Sequence, residues 1–529
     1  MTRGASRARW WLVAVASVWL GCKKPEAAPT PVDPLAAKRG RALFQRGKSA
    51  RGTPLTGFLA PERVELSGEV AACARCHGPS GRGSAEGGVE VPDISPGALG
   101  HSRTRAVGEL EDRSRPAYTR EALLRAITEG LSVSGRTLGV TMPRYVLNAE
   151  EKDELLAYLE RLGEQPDPGI SPTTLTVGAA LPLTGRLGPL GQEAAAVVRA
   201  VFAEANASGG IFRRKLELVV EDDAATVGAA PLTTDATTRL LERGVLALVA
   251  SMRRGPLPSD VKLTEEGAPL ILPLALNGGT SDADSPVFFL YPDEPSLARL
   301  AVQSLARARE PELRRKSLFV VHTGGDTGRA WAEAARDELA RRELRPPREL
   351  TLPGQSLPLE RWATEPPLAV LYSGTPEGLD TLLRALESRN LDVRVLAPAS
   401  LAIPEVVGHS TGRVHFLYPA GLGERAPDLE DFTAFMKRHD LRPGHTAFQV
   451  GAYAAARVLV EALTRAGAEV TRASLTQQLE ALRDFDTGVS PPVTFGANQR
   501  IGIQGAQLAA LDPTTGQLVA VSGWIPLSP

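Results

Sequence analysis

From residue 175 onward, short apolar runs recur between stretches of helical periodicity, and nothing else in the chain limits its fold as tightly. Residues 175–181, 216–221, 245–251 and 269–275 form one series; 318–322, 368–373, 393–398 and 414–418 form a second. Near-continuous apolar strands separated by amphipathic helices build parallel sheet covered on both faces. Two successive series predict two α/β lobes. A chain of 529 residues is in any case too long for a single core. The Gly- and Pro-rich stretch 164–173 reads as a linker between this half and what precedes it.

The preceding part contains Cys73-Ala74-Arg75-Cys76-His77. Two cysteines three apart can each form a thioether to one porphyrin, with His77 adjacent to ligate the iron. This is the attachment pattern of a single covalent haem c. The spacing leaves two alternatives, a zinc half-site and a redox dithiol. Zinc needs a second Cys/His pair at compatible spacing, and none follows. A dithiol expects a βαβ setting, whereas the flanks here are rich in Gly and Pro. Met142, the only methionine between the initiator and Met252, is the candidate for the second axial position, and His101 competes with it. His/Met ligation raises the reduction potential and suits electron transfer rather than oxygen chemistry.

Composition narrows the partners. Sixty Lys+Arg against 61 Asp+Glu give a net charge of −1, which argues against nucleic acid. Of three cysteines, the haem pattern leaves Cys22 over. Arg3, Arg7 and Arg9 precede the apolar run 10–20 and Gly21-Cys22. That run is too short to span a bilayer and matches the apolar region of a signal peptide, residues 1–21. A small residue before the cysteine is similar to a bacterial lipobox, which implies lipidation of Cys22. An ordinary signal peptide would leave Cys22 a spare thiol. Both readings export the protein to the periplasm or cell envelope, and the lipidated one touches a membrane by its lipid anchor only. The Pro-rich residues 22–34 are expected to be a semi-rigid tether.

Helices are expected from the Asp33 cap to Gly47, from about Thr119 to Gly130, and from Asn148, with Glu151 completing a capping box, to Gly163. Residues 48–72 read as loop. The glycine-dense stretch after His77 reads as backbone lying against a flat cofactor. Gly40-Arg41-Ala42-Leu43-Phe44, the Cys-Ala-Arg-Cys-His-Gly run, Met142-Pro143 and Leu155-Leu156-Ala157-Tyr158-Leu159 together resemble a class I c-type cytochrome. For residues 35–163 the resemblance implies a small all-α domain whose first and last helices cross, with Gly40, Phe44 and Tyr158 at the crossing.

Residues 174–529 resemble the type I periplasmic solute-binding proteins of branched-chain amino acid transport. The matching segments begin with Val177-Gly178-Ala179-Ala180-Leu181-Pro182-Leu183-Thr184-Gly185 and Leu190-Gly191-Gln192. They continue with Ala205-Asn206-Ala207-Ser208-Gly209-Gly210-Ile211, the region around Tyr453, and Val493-Thr494-Phe495-Gly496. The resemblance implies a two-lobed α/β domain that closes like a hinge on a solute. It places ligand contacts near Thr184, Ser251, Ala275 and Asn277 in one lobe and Tyr372 and Ser373 in the other. Such proteins, when they bind amino acids, offer an acid from the far lobe. Here that position reads Ala397-Pro398-Ala399-Ser400, with Glu405 the nearest acid, while Arg253 and Arg254 follow Ser251. A neutral far wall beside two arginines would fit an organic anion better than an amino acid. The alternative is that both arginines point to solvent, as most loop arginines do, so the ligand stays an amino acid or an organic anion. His322 and His415 lie in apolar strands and read as core histidines.

The whole is expected to be an exported, lipid-anchored electron carrier with redox partner proteins, its solute-binding domain acting as sensor or docking surface and not as catalyst. Two alternatives stand beside this. One is a receptor of an amino-acid-type ABC transporter with an accessory cytochrome; the other is the electron-accepting subunit of a periplasmic oxidoreductase.

Overall fold

The computed structural model describes residues 33–528 except 50, 79, 87–88, 106–112, 164–165, 224–234, 254–258, 276–284, 404–405, 407–411, 424–425 and 513. Cys22, the signal segment, Arg254, Asn277 and Glu405 lie outside the described residues.

The N-terminal module is built around the crossing of its first and last helices. In α1 (Pro34–Arg46), Asp33 caps the start and Gly47, at φ 61°, ends it. A second helix, α2 (Ala74–His77), is a single turn carrying the cysteine pattern; α3 (Arg120–Thr128) starts at a Thr119 cap. The last, α4 (Ala149–Leu159), opens with the Asn148/Glu151 capping box. Where α1 crosses α4, a Cβ on Gly40 would stand 1.8 Å from the Glu154 carbonyl, so the two backbones touch. Phe44 and Tyr158 pack alongside at 5.4 Å between ring centroids.

This module is not all-α. Strands β1 (Thr56–Leu59) and β2 (Val64–Ser67) form an antiparallel hairpin, and β3 (Arg144–Val146) pairs with β1 on its other edge. The expected loop 48–72 therefore contains sheet. Its pattern is weak because β2 is almost wholly exposed, so no apolar alternation marks it.

Beyond the linker the two-lobed α/β architecture appears. In the first lobe, β4 (Thr174–Leu181), β5 (Lys215–Asp222), β6 (Leu248–Val249), β8 (Leu270–Ile271) and β10 (Val287–Phe288) form a parallel sheet in the order β10-β8-β6-β4-β5. Short β7 (Met252–Arg253) and β9 (Leu274–Ala275) extend β6 and β8 past residues in the left-handed region, Ala250 and Leu272. Helix α5 (Gly188–Ala207) covers one face together with the later α12 (Thr446–Ala466), and α6 (Ala236–Glu242) and α7 (Ser259–Glu266) lie on the other.

The second lobe follows α8 (Glu294–Arg315). Its strands are β11 (Leu318–His322), β12 (Arg348–Thr351), β13 (Ala369–Ser373), β14 (Arg394–Pro398) and β15 (Val414–Tyr418), all parallel. Helices α9 (Gly325–Arg341) and α10 (Pro376–Ser388) follow β11 and β13. The chain then returns to the first lobe for α11 (Glu430–Arg438), α12 and α13 (Arg472–Glu480). It crosses once more so that β16 (Gly505–Leu511) joins β15 antiparallel. Three crossings thus link the lobes. The first and third run side by side, with Phe289 N–H donating to Arg500 O at 2.7 Å and Gly502 N–H to Phe289 O at 2.8 Å.

Candidate functional site

Two places gather chemistry, the cysteine turn and the cleft between the lobes. At the first, His77 is buried and its Nδ1 lies 3.0 Å from the Pro92 carbonyl. A carbonyl only accepts, so Nδ1 carries the proton and Nε2 keeps its lone pair. Burial lowers the imidazole pKa, which keeps the ring neutral. Cys73 and Cys76 form no disulfide. Burial pushes the Cys73 thiol up to about 12. Met142 is half-buried and, like Cys73, Ile94 and Leu123, packs against the edge of the module's core. His101 is exposed, its Nδ1 turned 2.9 Å from the Gly97 carbonyl of its own loop.

These residues fit a haem. A ligating imidazole needs a bare nitrogen and an anchored partner, and the hydrogen bond to Pro92 leaves Nε2 in that state. The zinc alternative finds no support, since among the described residues no group of three or more His, Cys, Asp or Glu side chains is arranged to hold a metal ion. Two of the glycines after His77 sit where the module packs against itself. A Cβ on Gly81 would lie 2.3 Å from Leu162, and one on Gly83 2.1 Å from the Val91 carbonyl, both at positive φ. Close packing within the module requires them.

In the cleft, parallel strands present their carboxyl ends, the edge where α/β sheets bind ligands. Thr184 follows β4 and donates its hydroxyl to Asp222 Oδ2 at 2.6 Å, while Leu183 N–H binds the other Asp222 oxygen at 2.8 Å. Ser251 is buried, and its Oγ accepts from Ala180 N–H at 3.0 Å, tying β4 to the turn after β6. Ala275 pairs in register with Arg253. Across the cleft, Tyr372 donates to the Thr375 carbonyl at 2.7 Å, and Ser373 is buried with its carbonyl accepting from Thr323 N–H at 3.2 Å. The hydroxyls of Ser251 and Tyr372 thus hold loops in place, and Thr184 is the exposed member.

Arg253 does not face a ligand as a free cation. It is buried and grips Asp260 through both terminal nitrogens, at 2.7 and 2.6 Å. A bidentate pair of this kind cancels the charge that suggested an anionic solute. His322 is a core residue as expected, with Nδ1 accepting from Gly324 N–H and Nε2 3.0 Å from Glu349.

The far lobe holds an acid that the sequence pattern concealed. Glu294 opens α8 immediately after the first crossing. Because α8 runs down to the start of β11, its first turn lies at the carboxyl edge of the sheet. Glu294 Oε2 is buried and has no hydrogen-bond partner among the described residues. Burial, with Asp293 beside it, pushes the carboxyl from 4.5 up to about 7. In the sequence it reads as an ordinary first-turn acid complementing the helix dipole.

A family model described as "Periplasmic binding protein" matches residues 174–517. Comparison with curated proteins finds no match. Among solved structures, the chain is similar to one described as an ABC transporter permease from the Pseudomonas fluorescens group, at 15% identity and a TM-score of 0.51. That match covers 68% of this chain and 94% of the other. It is similar as well to the fatty acid ABC transporter substrate-binding protein from Thermomonospora curvata, at 18% identity, TM-score 0.48, covering 68% and 95%. An ABC transporter substrate-binding protein from Desulfitobacterium hafniense shares 21% identity at a TM-score of 0.48, covering 66% and 100%.

Proposed function

Given that the chain belongs to the periplasmic binding protein family, we propose that it is an envelope solute receptor of the ABC-transporter kind that carries a haem c on its N-terminal module. Members of this family bind solutes without transforming them, and this chain has the two lobes and paired crossings that such binding uses. The observation that carries the solute class is Glu294 Oε2 on the far lobe, buried and without a hydrogen-bond partner among the described residues. A solute with an ammonium group supplies the missing partner, and backbone N–H groups at helix starts of the cleft receive a carboxylate. An amino acid meets both needs. Thr184, exposed after β4, would line the cleft.

The haem reading rests on Cys73, Cys76 and His77, with Met142 as second axial ligand. Bound haem with His and Met ligands supplies one-electron transfer. Cys73 and Cys76 would anchor it, Pro92 would orient His77, and Leu123 and Ile94 would exclude water from its edge. The receptor role ranks above the electron-carrier role because the family match covers the larger module. The lipid anchor at Cys22 and the redox partners belong to the same proposal.

Isothermal calorimetry of the full chain against single L-amino acids, dicarboxylates and fatty acids tests the receptor reading. Saturable binding of an amino acid, with proton release near pH 7 as Glu294 ionises, is the expected result; binding of dicarboxylates alone would refute the ammonium assignment. A pyridine haemochrome spectrum of protein exported in bacteria tests the other module. It should show one covalent haem, lost in Cys73→Ala/Cys76→Ala.

A further inference from the structure

The linker does not separate the modules; it is built into their contact. Asp167, 4% exposed, pairs with Arg41 of α1 and accepts from the backbone N–H of Arg472 at 2.6 Å. Arg472, 2% exposed, donates to the Val245 and Leu246 carbonyls at 2.6 and 3.1 Å and to Glu266 at 3.0 Å. Glu266 also binds Lys38 of α1 at 2.8 Å. Arg46, at the end of α1, caps α7 by donating to the Thr264 and Glu265 carbonyls. The N-terminal module is thus clamped to the first lobe at the start of α13.

The far end of α13 is Glu480, and it reaches the hinge. Glu480 pairs with Arg500 at 2.7 Å, and both are largely buried. Arg500 donates to the Ser285 carbonyl at 2.8 Å and lies over the Phe288 ring at 4.6 Å. Its own carbonyl accepts from Phe289. Arg500 therefore holds the first and third crossings together. The Arg75–Glu69 pair, 3.0 Å apart, lines the same cavity of about 570 Å³ as Glu480 and Arg500. Arg75 is one of the two residues between the cysteines. Burial raises the Glu480 carboxyl and Arg500 lowers it, while Glu69 and Arg75 act on it across the gap. Beyond His77, Ser80 donates to Glu469 at 2.7 Å, so the cysteine turn is flanked by the first lobe on both sides.

We propose that lobe closure is transmitted through Arg500 and Glu480 to the Cys73–His77 turn, so that solute occupancy sets the reduction potential of the haem. This rests on the receptor-plus-haem reading. Rotation about the crossings displaces Arg500 relative to Glu480. In a poorly solvated pair, a small displacement changes the net field at the adjacent turn strongly. A carboxylate less well neutralised favours the ferric state, which carries one more positive charge, and so lowers the potential. Arg500 and Glu480 act as positioning residues, since neither is placed on solute or haem.

The test is a spectroelectrochemical titration of the full-length haem-loaded protein, alone and with an equimolar mixture of the common L-amino acids. Wild type, Glu480→Gln and Arg75→Gln are compared. The expected result is a midpoint shift on adding amino acids in wild type that is lost in Glu480→Gln, whose resting potential is higher. The exposed Arg75→Gln, which tolerates substitution, should lower the resting potential. Calorimetry with the same mixture and the haemochrome spectrum are run in parallel. No haem or no amino acid binding overturns the functional reading and the coupling with it. Both present with no shift, or an equal shift in Glu480→Gln, overturns the coupling alone.

Discussion

Glu294 is the residue on which the most can be measured. Its unfolded value is 4.5 and its folded value about 7, so the fold favours the protonated form. The stability this contributes is complete below about pH 4.5 and is lost as pH rises through about 7. At 1.36 kcal/mol per unit the full change is roughly 3 kcal/mol. Glu294→Gln should raise Tm at pH 8, leave it nearly unchanged at pH 4, and flatten the profile between, as read by scanning calorimetry. The same variant should weaken amino acid binding roughly 30-fold, about 2 kcal/mol, because the ammonium loses its charged partner. This acid was not legible in the chain: a first-turn Glu after an Asp cap is ordinary, and only burial makes it exceptional. The reverse holds for Arg253, whose neighbours in sequence suggested a free cation until Asp260, in the first turn of α7, took both nitrogens.

Among elements, the crossing of α1 and α4 was the most legible. Caps at Asp33, Thr119 and Asn148 and stops at Gly47 mark chain ends that local hydrogen bonding decides. Gly40 adds a tertiary demand, since its Cα hydrogen faces the Glu154 carbonyl. Gly40→Ala must push the helices apart, a cost of about 3 kcal/mol by the usual penalty for overpacking. The expected outcome is a separate, earlier transition for the N-terminal module in scanning calorimetry. The β1–β2 hairpin was missed because β2 exposes nearly every side chain and leaves no apolar period to read.

For the whole molecule, the composition of 164–173 reads as a plain linker, and the structure instead joins the modules through Arg472. Replacing one member of a buried charged network leaves its partners unpaired at a cost of roughly 3–5 kcal/mol. Arg472→Met should therefore destabilise the first lobe by that order in urea titration. It should also free the N-terminal module to limited proteolysis at the linker, while the second lobe, which shares no part of this network, stays resistant. An unchanged cleavage pattern would show that the clamp is not what holds the modules.

What the sequence by itself determined is everything set by short-range rules. These are the parallel α/β lobes from their apolar runs, the helix ends from their caps, and the paired cysteines with His77 from their spacing. Tertiary structure alone decided which charges are spent and which are spare. Asp167 in a Pro-rich linker, Arg46 on a surface helix and Glu294 at a helix start all look alike in a chain. Their partners lie hundreds of residues away or are absent, and the energy of a charge depends on the groups and solvent that folding brings around it.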